Sequence, residues 1–378
     1  MRRFCLFSIL AFSSSLRAQS PLISPPRLAD DAMQKQNAGD LAGAVAEYKE
    51  FLKIHPEASP IHTNLGVALA GLGRYEEAVS EYKIALKQSP VFSAARLNLA
   101  IAYYKMGHIS DAATQLTLVH RENPSNMQAV QLLGDCYLRM GENKETIQLL
   151  RPIAKDHPDD LAVAYMLGTA LLRNKQRDEG AVVIDRILRN GDSAESHLLM
   201  GMTKFEAMEY PEATADLTKA AEIDPTLPDV YSYLGQAQMA SGDMKAARDA
   251  FEKELRVNPN DFESNVRMAV LLKEDGNYDR AQGLLHRALL VRPQDPGALY
   301  QVGATYLAAG DMNRACSALQ AVVRQYPEFL EPHVSLAQVY YRLKRKEDGD
   351  REREIVQKLK GAQDAELSKS KGQAQPRP

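Results

Sequence analysis

The chain has no tryptophan and only three cysteines in 378 residues. Cys5, Cys136 and Cys316 form no CxxC pair, which excludes a disulfide framework and the usual zinc spacings. Charge of either sign is not in excess: 46 Lys and Arg face 49 Asp and Glu, for a formal net charge of −3. Nucleic acid and anionic membranes therefore have no electrostatic footing, and no nucleic-acid partner is expected. Long apolar runs are also missing, so no integral membrane span is expected. Eight histidines (His55, His62, His108, His120, His157, His197, His286 and His333) are scattered, none in an HExxH spacing. There is no GxSxG elbow, no GxxxxGK[ST] phosphate loop and no GxGxxG after a strand. The chain reads as a non-enzyme, with no catalytic residue, metal or cofactor expected.

The first residues differ from the rest. Arg2 and Arg3 precede a short apolar run, Phe4 to Phe12, and then Ser13, Ser14, Ser15, Leu16, Arg17 and Ala18. A basic start, a short apolar stretch and a small residue before a cut is the layout of a secretory signal peptide. Residues 1–18 are expected to be that signal and residues 19–24 a linker. Export to the periplasm or medium of a bacterium follows; a cytoplasmic location is the alternative if the start is not a signal. Cleavage after Ala18 removes Arg2, Arg3 and Arg17 and no acid, leaving a formal charge of −6. Cys5 leaves with it, and stands too early in the run to carry a lipid.

What is present in quantity is repetition. Proline stands at 56, 90, 124 and 158, and again at 225, 259, 293 and 327, with a step of 34 inside each set. A fixed period of that length marks an array of stacked units, none able to bury its apolar face alone. The units begin near Pro25, Ser59, Ser93, Met127, Leu161, Ala194, Pro228, Phe262, Pro296 and Leu330. Their eighth place is small in every unit: Ala32, Gly66, Ala100, Gly134, Gly168, Gly201, Gly235, Ala269, Gly303 and Ala337. The twentieth is small nearly throughout: Ala44, Ala78, Ala112, Thr146, Gly180, Ala213, Ala247, Ala281, Ala315 and Gly349. Small residues at two fixed points let two helix backbones cross closely. Between them, Gly39, Gly73, Gly107, Gly141, Gly242, Gly276 and Gly310 recur at the fifteenth place, where a helix ends on a left-handed residue. Apolar spacing on both sides is helical, as at Leu65, Leu69, Tyr82 and Ala85. Each unit is thus helix A, a short turn and antiparallel helix B, stopped by the proline, with Ser, Asp or Asn nearby to cap the next helix. In such a stack Cys136 and Cys316 lie about five units apart, out of disulfide reach, and read as small buried residues.

This pattern resembles the tetratricopeptide repeat (TPR). The stretch NLGVALAGLGRYEEAVSEYKIALKQSP, from Asn64 to Pro90, matches that family at nearly every defining place. The resemblance spans residues 25–361. It implies an all-α, right-handed superhelical solenoid of about ten antiparallel helix pairs, with A helices lining a concave groove for peptides or partner helices.

The period slips once. Gly168 to Gly201 is 33 residues, so one residue is lost near 188–196, where Asp192 takes the place of proline and Gly191, Asp192 and Ser193 offer a stop and a cap. A change of pitch there is one reading and a tolerated shorter loop the other. The same fifth unit has Lys175-Gln176-Arg177 where the turn glycine belongs. The second helix of the last unit is strongly charged, as a terminal repeat needs, and the basic stretch 362–378 is expected to be a disordered tail.

With the repeat absorbing most residues, the groove is the remaining functional surface. The resemblance turns places 2, 5, 6, 9, 12 and 13 of helix A inward. These hold Asn64, Asn98, Tyr104 and Lys105 near the start and Arg139, Tyr165, Met166, Leu172, Leu198, Leu199, Met202 and Phe205 in the middle. Tyr233, Met239, Arg267, Tyr300, Gln301, Leu307, Tyr341 and Arg342 follow. Asn64 and Asn98 resemble the start of an asparagine ladder, which lapses at Leu132, Met166 and Leu199. The paired cations of chaperone-binding members are not assembled. An apolar, Tyr- and Met-lined centre favours an amphipathic helix or a hydrophobic peptide, unless these residues pack against neighbouring helices. The expected function is a non-enzymatic, exported scaffold binding proteins in its groove, in cell-envelope or secretion-complex assembly. The alternatives are a tethering subunit of an envelope enzyme or polysaccharide-export system, or a cytosolic adaptor.

Overall fold

The computed structural model describes residues 27–188 and 193–373. The expected signal, residues 1–18, and the linker 19–24 lie outside the described residues. Those described form twenty α-helices and, among them, no strand. The A helices are α1 (Arg27–Asn37), α3 (Ser59–Gly71), α5 (Ser93–Lys105), α7 (Met127–Met140), α9 (Leu161–Arg173), α11 (Ala194–Glu206), α13 (Val230–Ala240), α15 (Phe262–Glu274), α17 (Pro296–Ala308) and α19 (Leu330–Arg342). The B helices are α2 (Leu41–Ile54), α4 (Tyr75–Gln88), α6 (Ile109–Glu122), α8 (Asn143–Asp156), α10 (Arg177–Leu188), α12 (Tyr210–Ile223), α14 (Met244–Val257), α16 (Tyr278–Val291), α18 (Met312–Gln325) and α20 (Lys346–Gln373). The chain divides into two compact units, residues 1–242 and 243–378. The first holds α1 to α13, the second α14 to α20.

The frame of small residues explains how each pair closes. A Cβ added at Gly66 in α3 would come within 2.5 Å of the Tyr82 ring in α4, and one at Gly201 in α11 within 2.5 Å of Leu217 in α12. The eighth place of helix A thus lies under the twenty-fourth place of helix B, equidistant from the turn, which is the antiparallel arrangement. Opposite, Ala44, Ala78, Ala112, Ala213, Ala247, Ala281 and Ala315 have no exposed surface at all. Apolar contact then runs from one pair to the next. In the first unit Ala32, Tyr48, Leu65, Leu69, Tyr82 and Leu99, from three successive repeats, share one cluster. In the second, Ala315, Leu319, Leu336 and Tyr340 do the same across two.

The turn is conserved in geometry even where its glycine is not. All seven glycines at the fifteenth place have φ between 76° and 87°. In the remaining three repeats Lys175, Met208 and Lys344 take φ of 60°, 63° and 58° at that same place. The hydrogen bonds match as well: Gly73 and Arg74 donate to Ala70 and Leu69, while Lys175 and Gln176 donate to Leu172 and Leu171. These paired bonds satisfy the last carbonyls of helix A, so the missing glycine of the fifth repeat changes the strain and not the path.

The proline ladder has a second use. Six residues beyond each of four prolines, at the fourth place of helix A, a side chain donates to the proline carbonyl. His62 Nε2 lies 2.9 Å from Pro56 O, Asn265 Nδ2 2.9 Å from Pro259 O and His333 Nε2 2.9 Å from Pro327 O. Arg96 reaches Pro90 O in the same way. The proline ends helix B, and its exposed carbonyl is held by the next helix A.

Two further points bear on expectation. Residues 189–192, including Gly191 and Asp192, in the middle of the 188–196 stretch where one residue is lost and where a pitch change or a shorter loop is expected, lie outside the described residues. Beyond them Ser193 caps α11 through a reciprocal bond pair with Ser196. At the other end α20 runs to Gln373, through most of the stretch expected to be irregular. Between Gly361 and Gly372 that stretch carries no helix breaker and is rich in Ala, Gln, Glu and Lys, all good helix formers.

Candidate functional site

The expected groove residues separate into two sets. Asn64, Tyr165, Met166, Leu198, Met202 and Tyr233 are buried, Leu198 completely. They belong to the packed interior rather than to an open surface. Asn98, Tyr104, Lys105, Arg139, Phe205 and Tyr300 are partly exposed, and Arg267 is exposed. In the second unit Arg267 lies 4.0 Å from Glu263, and Tyr300 rests edge-on against Phe329, its hydroxyl 3.3 Å from Ser335.

In the first unit two of the partly exposed residues, Tyr104 and Arg139, join a polar network that runs along the A helices. Tyr104 donates to Asp135 Oδ2 at 2.5 Å, and Arg139 Nε donates to the same oxygen at 2.7 Å. The Arg139 guanidinium stands 5.4 Å over the Tyr104 ring. One repeat further, Arg173 reaches back to the Leu138 carbonyl at 3.3 Å. Place 13 of one repeat therefore touches place 12 of the repeat before it, twice in succession. Arg173 also extends forward over two repeats, donating from Nε to the Tyr233 hydroxyl at 2.9 Å and pairing with Asp229 at 3.4 Å. Asp229 is held at φ 71°, a left-handed conformation uncommon for a residue with a side chain. Phe205 closes the cluster with its ring 6.0 Å from Tyr233.

Burial sets the chemistry of these groups. It pushes the Tyr104 phenol well above its ordinary range, and the Asp135 carboxylate pushes the same way, so the phenol stays a neutral donor. Burial likewise raises Tyr165 and Tyr233. The Lys105 ammonium is lowered by burial alone. Cys136, beside Asp135, is raised well above its usual value by burial, which makes it a poor nucleophile. What the face offers is recognition of shape and charge: fixed hydroxyl and guanidinium donors between aromatic surfaces.

Asp135, Arg173 and Asp229 did not emerge from the sequence as site residues, although they occupy inward places 9, 13 and 2 of the frame. A sequence signal exists for Arg173 alone: the step of 34 from Lys105 to Arg139 to Arg173, three cations at place 13 in consecutive repeats.

The fold and this face define a protein built from helix-pair repeats with its distinguishing side chains on the A helices. Family models described as tetratricopeptide repeat match residues 30–91, residues 69–119 together with 239–304, and residues 297–328. A model described as anaphase-promoting complex, cyclosome, subunit 3 matches residues 105–187. The chain belongs to the tetratricopeptide-repeat family, whose members serve protein–protein contact. Superkiller protein 3 of Schizosaccharomyces pombe is 26% identical over 135 residues, covering 34% of this chain and 10% of that protein. The chain thus spans about a tenth of the length of that relative. Among solved structures, MamA 41-end from Desulfovibrio magneticus RS-1 is 24% identical, covering 46% of this chain and 98% of that one, with a TM-score of 0.42. The APC/C hetero-tetramer Cut9–Hcn1 is 12% identical, covering 87% of this chain and 79% of that one, with a TM-score of 0.49. No helix among the described residues is long and apolar enough to cross a membrane.

Proposed function

We propose that the chain is a non-enzymatic scaffold that holds a segment of a partner protein against the inner face of its A helices. The observation that carries this reading is the network from Tyr104 to Tyr233, which joins partly exposed Tyr104, Arg139 and Arg173 on the A helices while the small and apolar places of each repeat are committed to packing. The basic and apolar start of the chain supports a site of action outside the cytoplasm, in assembly of an envelope or secretion complex. A tethering subunit for an envelope enzyme or polysaccharide exporter uses the same face and differs in what is bound. A cytosolic adaptor is the reading if the mature protein retains Met1.

The test is photo-crosslinking in the native host from positions 105 and 205, with exposed position 182 on α10 as control. Adducts are expected from the first two and not from the third. Equal capture from all three positions, or none from 105 and 205, would remove the inner face from consideration. The identity of the adducts separates an assembly factor from an enzyme tether. Sequencing of the mature N-terminus is expected to start at Gln19; a cytosolic chain starting at Met1 would retire export.

A further inference from the structure

Helix α10 is the B helix whose own sequence least favours a helix. Val182, Val183 and Ile184 put three β-branched residues in succession, which no other B helix has, and each loses side-chain freedom against the preceding turn. Gly180 adds a glycine to the helix interior, the costliest residue there after proline. Packing does not ask for that glycine: a Cβ at Gly180 would sit at ordinary contact distance, 3.4 Å from Leu172 and 3.5 Å from Leu171. Gly349, at the same twentieth place of the last repeat, has no such room, since a Cβ there would come within 2.7 Å of the Tyr341 ring. The turn that leads into α10 is strained as well, with Lys175 at φ 60°. Val182 is 66% exposed and returns little apolar contact. The helix is held by buried Val183 and Ile187 and by bonds open to water. Arg151 on α8 donates from Nε and Nη2 to Glu179 at 2.9 and 2.8 Å, Arg177 donates to the Glu206 carbonyl at 3.1 Å, and Arg186 donates to the Pro158 carbonyl at 3.4 Å. Exposed bonds of this kind contribute little. On the A-helix side the fifth repeat is tied independently of α10, because Arg173 at the end of α9 reaches Tyr233 and Asp229 two repeats on.

We propose that α10 is a labile joint of the array, a helix that opens locally as one unit while α9 and α11 stay folded. The B side of the fifth repeat then parts, and its A side remains tied through Arg173. Opening uncovers Leu171 and Leu172 of α9, which stand beside Gly180 and are buried while α10 is docked. A helix with poor intrinsic preference and solvent-exposed bonds belongs to the low end of the range of opening free energies within a fold. This opening does not depend on what the inner face binds.

The experiment is hydrogen exchange of the full chain near neutral pH, read by mass spectrometry on peptides from each B helix, without urea and with urea up to about 1 M. Amides of α10 are expected to be protected about tenfold less than those of α4, α6 and α12. Their exchange is also expected to depend more weakly on urea, because a local opening exposes little surface. Gly180→Ala places a good helix former where there is room for it, and Lys175→Gly relieves the turn. The double variant is expected to raise protection of α10 about tenfold and that of α4 and α6 by much less. Val182→Ala, which removes an exposed β-branched residue, is expected to raise it about twofold. Melting of these variants at or above the wild-type temperature excludes damage to the fold; should Gly180→Ala melt lower, Val182→Ala alone carries the comparison. Equal protection of α10 and the other B helices, an equal urea dependence, or a rise shared equally by all helices in the variants would overturn the joint.

Discussion

His62 is held between two acceptors, the Glu81 carboxylate at 2.6 Å on Nδ1 and the Pro56 carbonyl at 2.9 Å on Nε2. Both ring nitrogens can donate only as imidazolium. Burial by itself pushes the His62 pKa down, but the bonds to Glu81 and Pro56 and the Glu81 charge outweigh it, and the net direction is up. A pKa raised on folding contributes stability that is fully present below the unfolded value, about 6.5, and is lost as pH rises through the folded value. Thermal stability is therefore expected to fall from pH 6 toward pH 8, a range in which carboxylates do not titrate, and His62→Gln to flatten part of that slope. An equal slope in the variant would show that the imidazolium is not the source. Lys175 gives the second prediction at this scale. A residue with a Cβ at φ 60° costs about 1–2 kcal/mol, partly offset in glycine by its freer unfolded state. Lys175→Gly is expected to stabilise by about 0.5–1 kcal/mol in denaturant titration. The place of this turn was legible from seven glycines elsewhere in the chain; that a lysine would adopt the same conformation was not, because local propensity argues against it and only the closed helix pair imposes it.

At the scale of the helix pair, stability depends on how closely two backbones approach. Ala78 has no exposed surface, and the ring of Tyr82, one turn on in α4, fills the space beside Gly66. Ala78→Leu and Ala247→Leu are each expected to cost about 1–3 kcal/mol by overpacking, read as a shift of the melting or denaturant midpoint. Unchanged midpoints would mean that the twentieth place is not the crossing point. Helix starts were largely legible: the frame begins at Ser59, Ser93, Met127, Leu161, Ala194, Phe262, Pro296 and Leu330, and helices A begin at the same residues. The length of α20 was less so. A basic, Gln-containing tail reads as irregular on composition, yet its residues before Gly372 are good helix formers continuing an existing helix, which removes the cost of nucleation.

For the whole molecule, a repeat array distributes stability among near neighbours, because each pair contacts mainly those beside it. Ala78→Leu is expected to raise amide exchange in the first three repeats, which share one apolar cluster, and to leave α17 to α20 at wild-type protection. A uniform rise along the chain would indicate a single cooperative unit instead. The sequence by itself determined the number of repeats and their helices and turns, since those follow from short-range periodicity, while the inward side of each helix came only from the resemblance. Only the tertiary structure decided which inward residues stay accessible. Tyr165, Met166, Leu198 and Met202 look the same in the frame as Tyr104 and Phe205, but the first four are buried and the other two partly open. Likewise Arg173 meets Tyr233 and Asp229 two repeats away, a contact that no local period encodes. It arises from the approach of helices separated by about 60 residues in the chain, and pairing at that distance depends on how the stack closes rather than on the pattern within any one repeat.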